Sequence, residues 1–145
     1  MAENVEFKEN SQAVQSHLTI LQSVIQRMAN NSASSKAWCI TLVSAILVIV
    51  ADKGKPQYAL IAVIPTILFC ILDAYYLALE RGFRNAYNSF IKKLHSKELT
   101  ADDLFVVVPQ GRLFGLFVSS IFSFSVWPFY IMLLGMIYAA KAFVI

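Results

Sequence analysis

The sequence predicts an all-α, helical multi-span membrane protein, and three observations predict it. Of 145 residues, 58% are hydrophobic, against about 45–50% in a typical soluble domain. The excess is concentrated in three blocks, and mean hydropathy is +0.62. The run Tyr58–Leu79 is apolar over about 22 residues, the length that crosses a bilayer. It is interrupted by one acid, Asp73. A carboxylate in hydrocarbon costs about 2.5–3.5 kcal/mol on insertion scales, so it needs water, a partner or a protein interior.

Along the chain, residues 1–11 read as a polar tail. It lacks the basic and apolar regions of a cleaved leader, so the first spanning helix is expected to drive insertion. From about Ser11 to Ala29 an amphipathic helix is expected. Val14, Leu18, Leu21, Ile25 and Met28 recur at helical spacing and form one apolar stripe. That stripe must pack on the bilayer surface, on the rest of the chain or on a second copy. Asn30–Ser35 is rich in turn and cap residues and predicts a break. A first span follows from about Lys36 to Ala51, with Lys36 and Trp38 as interfacial anchors.

Lys53–Gln57 is a tight connection that makes the first two spans an antiparallel hairpin. Pro65 is expected to kink the second span. Beyond Leu79 the helical period persists through Phe83, Tyr87, Phe90 and Leu94 into a basic juxtamembrane helix. Thr100 and Asp103 have capping-box spacing. Leu104–Val108 is a short apolar run ended by Pro109, either a helical turn or an extended piece. Leu113–Ala140 is uncharged over about 28 residues, too long for one upright span. Pro128 is the natural break, with an interfacial or re-entrant helix before it and a third span from about Val126 to Phe143. One membrane domain results: 1–35 cytoplasmic helix, 36–79 transmembrane hairpin, 80–112 basic juxtamembrane segment, 113–145 interfacial helix and third span.

Charge orients the chain. With the N-terminus inside, Lys8, Arg27, Lys36, Arg81, Arg84, Lys92, Lys93, Lys97 and Arg112 lie inside, and Lys53, Lys55 and Lys141 outside. Cytoplasmic loops carry such an excess. The net charge of +3 is therefore topology, and no nucleic-acid partner is expected. Splitting the last block into two spans is the topological alternative.

The sequence shows no catalytic constellation. Cys39 and Cys70 lie in apolar runs, and His17 and His95 are the only histidines, so no cofactor or metal is expected. His17 reads as a packing or hydrogen-bonding side chain. The candidate site is a polar cluster at the inner membrane face: Asp73, Tyr76 and Glu80 on one helix face, with Arg27, Asn31 and Lys36 approaching from the first helix. Arg27 or Lys36 would neutralise Asp73. The cluster is either a clasp fixing the hairpin, a hydrated path or a titrating switch. Arg81, Arg84, Lys92, Lys93 and Lys97 form a candidate face for lipid headgroups or a protein partner. Leu18, Leu21, Ile25 and Met28, with a ladder of small residues at Gly111, Gly115, Ser119 and Ser123, are the candidate helix-packing positions of a homo-oligomer.

Residues 17–38, HLTILQSVIQRMANNSASSKAW, and 59–87, with the order DAYYL–ER–FR, resemble a family of small uncharacterised bacterial multi-span membrane proteins. The resemblance implies the bacterial inner membrane and singles out His17, Arg27, Met28, Asn31, Ser32, Lys36, Trp38, Asp73, Tyr76, Glu80, Arg81 and Arg84. The layout also resembles two-span membrane effectors of anti-phage defence systems. That likeness implies an oligomeric, pore-forming effector rather than an enzyme. A structural or regulatory subunit that recruits a cytoplasmic protein, and a small channel or transporter, are the alternatives.

Overall fold

The computed structural model describes residues 7–143; positions 1–6 of the polar tail and 144–145 lie outside the described residues. The described chain is all-helical: α1 Gln12–Lys53, a 3-10 segment Pro56–Ala62, α2 Val63–His95, a short 3-10 turn Ala101–Asp103, α3 Leu113–Ile121 and α4 Trp127–Phe143.

Helix α1 begins where the Ser11 hydroxyl accepts the Val14 N–H. It ends at Gly54, whose φ of 59° closes the last turn in the left-handed region that glycine adopts without strain. At 42 residues it is about 63 Å long. The break predicted at Asn30–Ser35 does not occur. Asn and Ser disfavour a helix by only about 0.7 kcal/mol or less each, and the segment contains neither Gly nor Pro. Here Ser35 Oγ donates back to the Asn31 carbonyl at 2.9 Å, and the Gln26 amide donates to Asn30 Oδ1 at 2.9 Å. Side chains that elsewhere close turns satisfy one another along the helix.

Pro65 is not a kink either. It occupies the first turn of α2, where a missing N–H is tolerated, just after the chain passes from 3-10 to α geometry at Val63. Helix α2 then runs unbroken past Leu79 to His95, as the periodicity predicted. The capping box at Thr100 and Asp103 forms. Leu104–Val108 turns out largely non-helical, with Phe105 at a positive φ of 62°.

Three apolar cores stack along the α1–α2 pair. Cys39, Val43 and Val50 of α1 meet Ala59, Ala62 and Ala74 together with Tyr130, Leu133 and Ile137 of α4. Leu21 and Met28 meet Phe83 and Ala86, with Ile25, Tyr76 and Tyr87 around them. Val14 meets Phe90, Leu94 and Leu99, with Leu18 beside them. The stripe on the first helix is therefore covered by the far half of α2. Of the three coverings the sequence left open, the rest of the chain provides it.

Exposed apolar side chains divide the molecule. Among the large apolar side chains of α1, Ile20 alone is exposed before residue 38, whereas Trp38, Ile40, Leu42, Val48 and Ile49 follow. Exposed Ile, Leu and Tyr continue from Tyr58 to Tyr75, and again over α3 and α4. One end of the helical bundle thus has an apolar exterior and the other a mainly polar one, where Phe105, Val106 and Val108 of the loop after α2 are the exposed apolar exceptions with Ile20. Two helices, Gln12–Lys53 and Pro56–His95 counted with its 3-10 turn, are long and apolar enough to cross a membrane.

Candidate functional site

Asp73 lies on α2 three turns beyond Val63, at the edge of the apolar exterior. It is completely buried. One turn of α1 brings it two partners, because Ser32 and Lys36 are four residues apart and share a face. The Ser32 hydroxyl donates to Asp73 Oδ1. The Lys36 ammonium stands 2.6 Å from Oδ2 and 3.4 Å from Ser32 Oγ, to which it donates. The Lys36–Oδ2 approach lies outside hydrogen-bond geometry, so Lys36 acts there mainly as a counter-charge. Its side chain keeps 21% exposure, which lets the ammonium retain part of its hydration at the edge of the apolar exterior.

Small residues make the approach of the helices close: Ser32, Ser35 and Cys39 on α1 face Ala74 and Ala78 on α2, all buried. On the far side, Tyr130 of α4 donates to the Phe69 carbonyl at 3.0 Å. Beyond Tyr130 the helix packs chiefly on the 3-10 segment Pro56–Ala62, in one core with Ala59 and Ala62. Helix α4 is therefore antiparallel to α2 and closes the site from the third side.

The structure selects among the candidates. Lys36 pairs with Asp73; Arg27 is exposed on α1 and takes no part. Asn31 serves only as the carbonyl acceptor for Ser35. Tyr76 packs in the Leu21–Phe83 core. Glu80 pairs with Arg84 at 2.8 Å, about two turns along α2 from Asp73. The polar cluster read from the sequence is thus split: Lys36–Asp73 inside, Glu80–Arg84 outside. Ser32, read as a turn residue, is a central member; its signal is the spacing Ser32–Lys36–Cys39 facing an acid of the opposite helix.

The basic face is likewise divided. Arg81 turns to α3, where it donates to Ser119 Oγ and Ser123 Oγ, both at 3.1 Å. Lys93 is bound to Asp103 at 2.6 Å. That ammonium, and after it the Thr100 N–H, hold the Asp103 carboxyl below the usual carboxylate range. Lys92 and Lys97 are exposed. Within the chain the small residues do not form one helix face: Gly111 lies in the loop before α3, Gly115 is exposed, and Ser119 and Ser123 accept from Arg81. Close approach occurs instead at Gly82, where an added Cβ would stand 2.8 Å from the Pro109 Cβ.

A second buried polar group lies far from Asp73. His17 is 1% exposed, and its Nδ1 accepts the Phe105 N–H at 2.9 Å. Its ring lies 4.2 Å from that of Phe90. The bond pins the loop after α2 at the residue with positive φ. A cavity of about 400 Å³ beneath it is also lined by Lys93, Asp102 and Asp103. Burial lowers the imidazole pKa below 6.5, opposed by the Asp103 charge. A protonated Nδ1 would face the Phe105 N–H donor to donor, so the closed loop requires neutral His17. The contribution is whole at high pH and is lost as pH falls from 6.5 toward the lowered value, by about tenfold in loop closure per pH unit. Hydrogen exchange of the Phe105 amide, corrected for intrinsic rate, should show protection fading on acidification. His17→Asn, whose Oδ1 can accept without titrating, should flatten that profile; an identical profile in both proteins refutes the role.

Compared with known proteins, the chain matches no family profile, no curated protein and no solved structure.

Proposed function

We propose that the chain is a multi-pass protein of the bacterial inner membrane, with its N-terminus in the cytoplasm, that works as a regulatory membrane subunit. It carries a cytoplasmic helical hairpin for a protein partner and couples that hairpin to its membrane part. One observation carries the reading. Helices α1 and α2 each continue without interruption from the apolar exterior into the self-packed polar hairpin, and the Ser32–Lys36–Asp73 clasp locks their register where the exterior changes. A large exposed apolar surface, here over 38–49, 58–75, α3 and α4, marks a membrane or partner contact. The nine-to-three charge bias orients it. A displacement of the hairpin has no hinge in which to dissipate, so it reaches the clasp.

A second reading, an oligomeric pore-forming effector as in anti-phage defence, is favoured by the buried Asp73, since an intramembrane acid is a functional candidate by default. Against it, the stripe Leu18–Met28 that invited a second copy is already occupied by α2.

Reporter fusions test the placement: one before residue 10 should be cytoplasmic and one after Ile145 periplasmic. A cytoplasmic C-terminal reporter removes the three-span arrangement. Membrane potential under induced expression separates the readings. The regulatory subunit leaves it unchanged in wild type and in Asp73→Asn. Depolarisation by wild type that Asp73→Asn abolishes would install the effector instead.

A further inference from the structure

We propose that the groove between α2 and α3 holds an acyl chain of an anionic phospholipid whose phosphate rests on Arg112. The inference rests on the membrane placement above. The groove, about 640 Å³, is walled by Leu68, Ile71, Leu72 and Tyr75 of α2 and by Phe114 and Phe117 of α3. The Tyr75 hydroxyl is the one polar group among these six side chains. Phe114 is 76% exposed, and the groove opens onto the same apolar exterior as Ile64, Ile67 and Ile71. A hydrocarbon chain fits such walls, and no side chain of this protein fills them.

The headgroup level follows from the loop that precedes α3. The Gln110 N–H donates to the Gly82 carbonyl at 2.9 Å, and Asn85 donates to the Gln110 carbonyl at 3.3 Å. These bonds hold the loop beside Gly82–Asn85, about two turns past Tyr75. Arg112 leaves the chain between that level and the groove. It is exposed and has no acidic partner among the described residues.

Of the arginines on the neighbouring turns of α2, Arg81 is held by Ser119 and Ser123 and Arg84 by Glu80, so Arg112, next to the groove-lining Leu113, is the guanidinium left to meet a headgroup. Guanidinium forks match phosphate oxygens in bidentate geometry. A zwitterionic headgroup would bring an ammonium into the same positive field, so the charge selects an anionic lipid.

Native mass spectrometry of the detergent-solubilised full chain tests the proposal with phosphatidylglycerol and phosphatidylcholine of identical acyl chains. Phosphatidylglycerol should be retained roughly tenfold more strongly, the scale of a charge-assisted hydrogen bond. Arg112→Gln should erase the preference. Phe114→Ala should weaken both lipids, and Lys92→Gln should change neither. Equal retention of the two lipids, or a preference surviving in Arg112→Gln, overturns the proposal. Displacement of the lipid by soluble glycerol phosphate at equal concentration also overturns it, because the headgroup alone would then be bound. Carbonate extraction of cell membranes separates the two levels of the argument. Release of wild type removes the membrane placement itself; retention without lipid preference removes only the lipid site.

Discussion

Lys36→Met is expected to cost about 3 kcal/mol of folding stability, the lower end of what is lost when one partner of a buried ion pair is removed. Asp73 would then be fully buried without a counter-charge, held by the Ser32 hydroxyl beside Tyr130. The lower end applies because Lys36 keeps some contact with the exterior. The double change Lys36→Met with Asp73→Asn should recover most of the loss, since no uncompensated charge remains and an amide still accepts from Ser32. Denaturant unfolding in mild detergent of the wild type, both single variants and the double closes a double-mutant cycle. Additive losses would mean that Lys36 and Asp73 are not coupled, and the clasp would have no energetic content.

Gly82→Val should be nearly as damaging, at about 1–3 kcal/mol, the usual cost of overpacking. The Cβ meets Pro109 at 2.8 Å, and the atom in its way belongs to a rigid ring next to a backbone bond. Relief requires the Pro109–Gln110 backbone to lift, which breaks the Gln110–Gly82 hydrogen bond. The expected signature is a lower unfolding midpoint together with faster exchange of the Gln110 amide. Gly135→Val is the control, since nothing lies within 4 Å of a Cβ built there. Equal midpoints for the two variants would show that the Gly82 contact relaxes freely.

How much of this was readable before the structure depends on the range of the interaction. Periodicity located the amphipathic stripe and the continuation of α2 past Leu79, because those signals repeat within a few turns; length and Pro128 predicted a break in the last apolar block, and it falls at 122–126, just before the proline. The cost of an unpaired carboxylate pointed to a partner for Asp73, and Lys36 was one of two basic residues at the right level. Asn30–Ser35 misled because cap-forming side chains bond equally well to their own helix when neighbouring helices hold it. The His17–Phe105 bond joins residues 88 apart, and Gly82–Pro109 depends on where a loop crosses. Neither leaves a local pattern. The ladder Gly111–Ser123 had a pattern without the helix to carry it, since α3 spans only Leu113–Ile121.

The covering of the first stripe by the far half of α2 sets an order of events during synthesis. Leu21 and Met28 are made about 60 residues before Phe83 and Phe90, a delay of about 3–12 s at ordinary elongation rates. Throughout that interval the stripe has no intramolecular partner, while both apolar segments of the hairpin emerge and can enter the bilayer. On the proposed membrane placement the apolar hairpin is then the template, and the polar hairpin zips from the clasp outward once α2 is complete. On that placement, a chain interrupted before the far half of α2 is available would hold a bare apolar helix at the membrane surface, a substrate for holdase chaperones and membrane proteases. Emergence of that half would hide it.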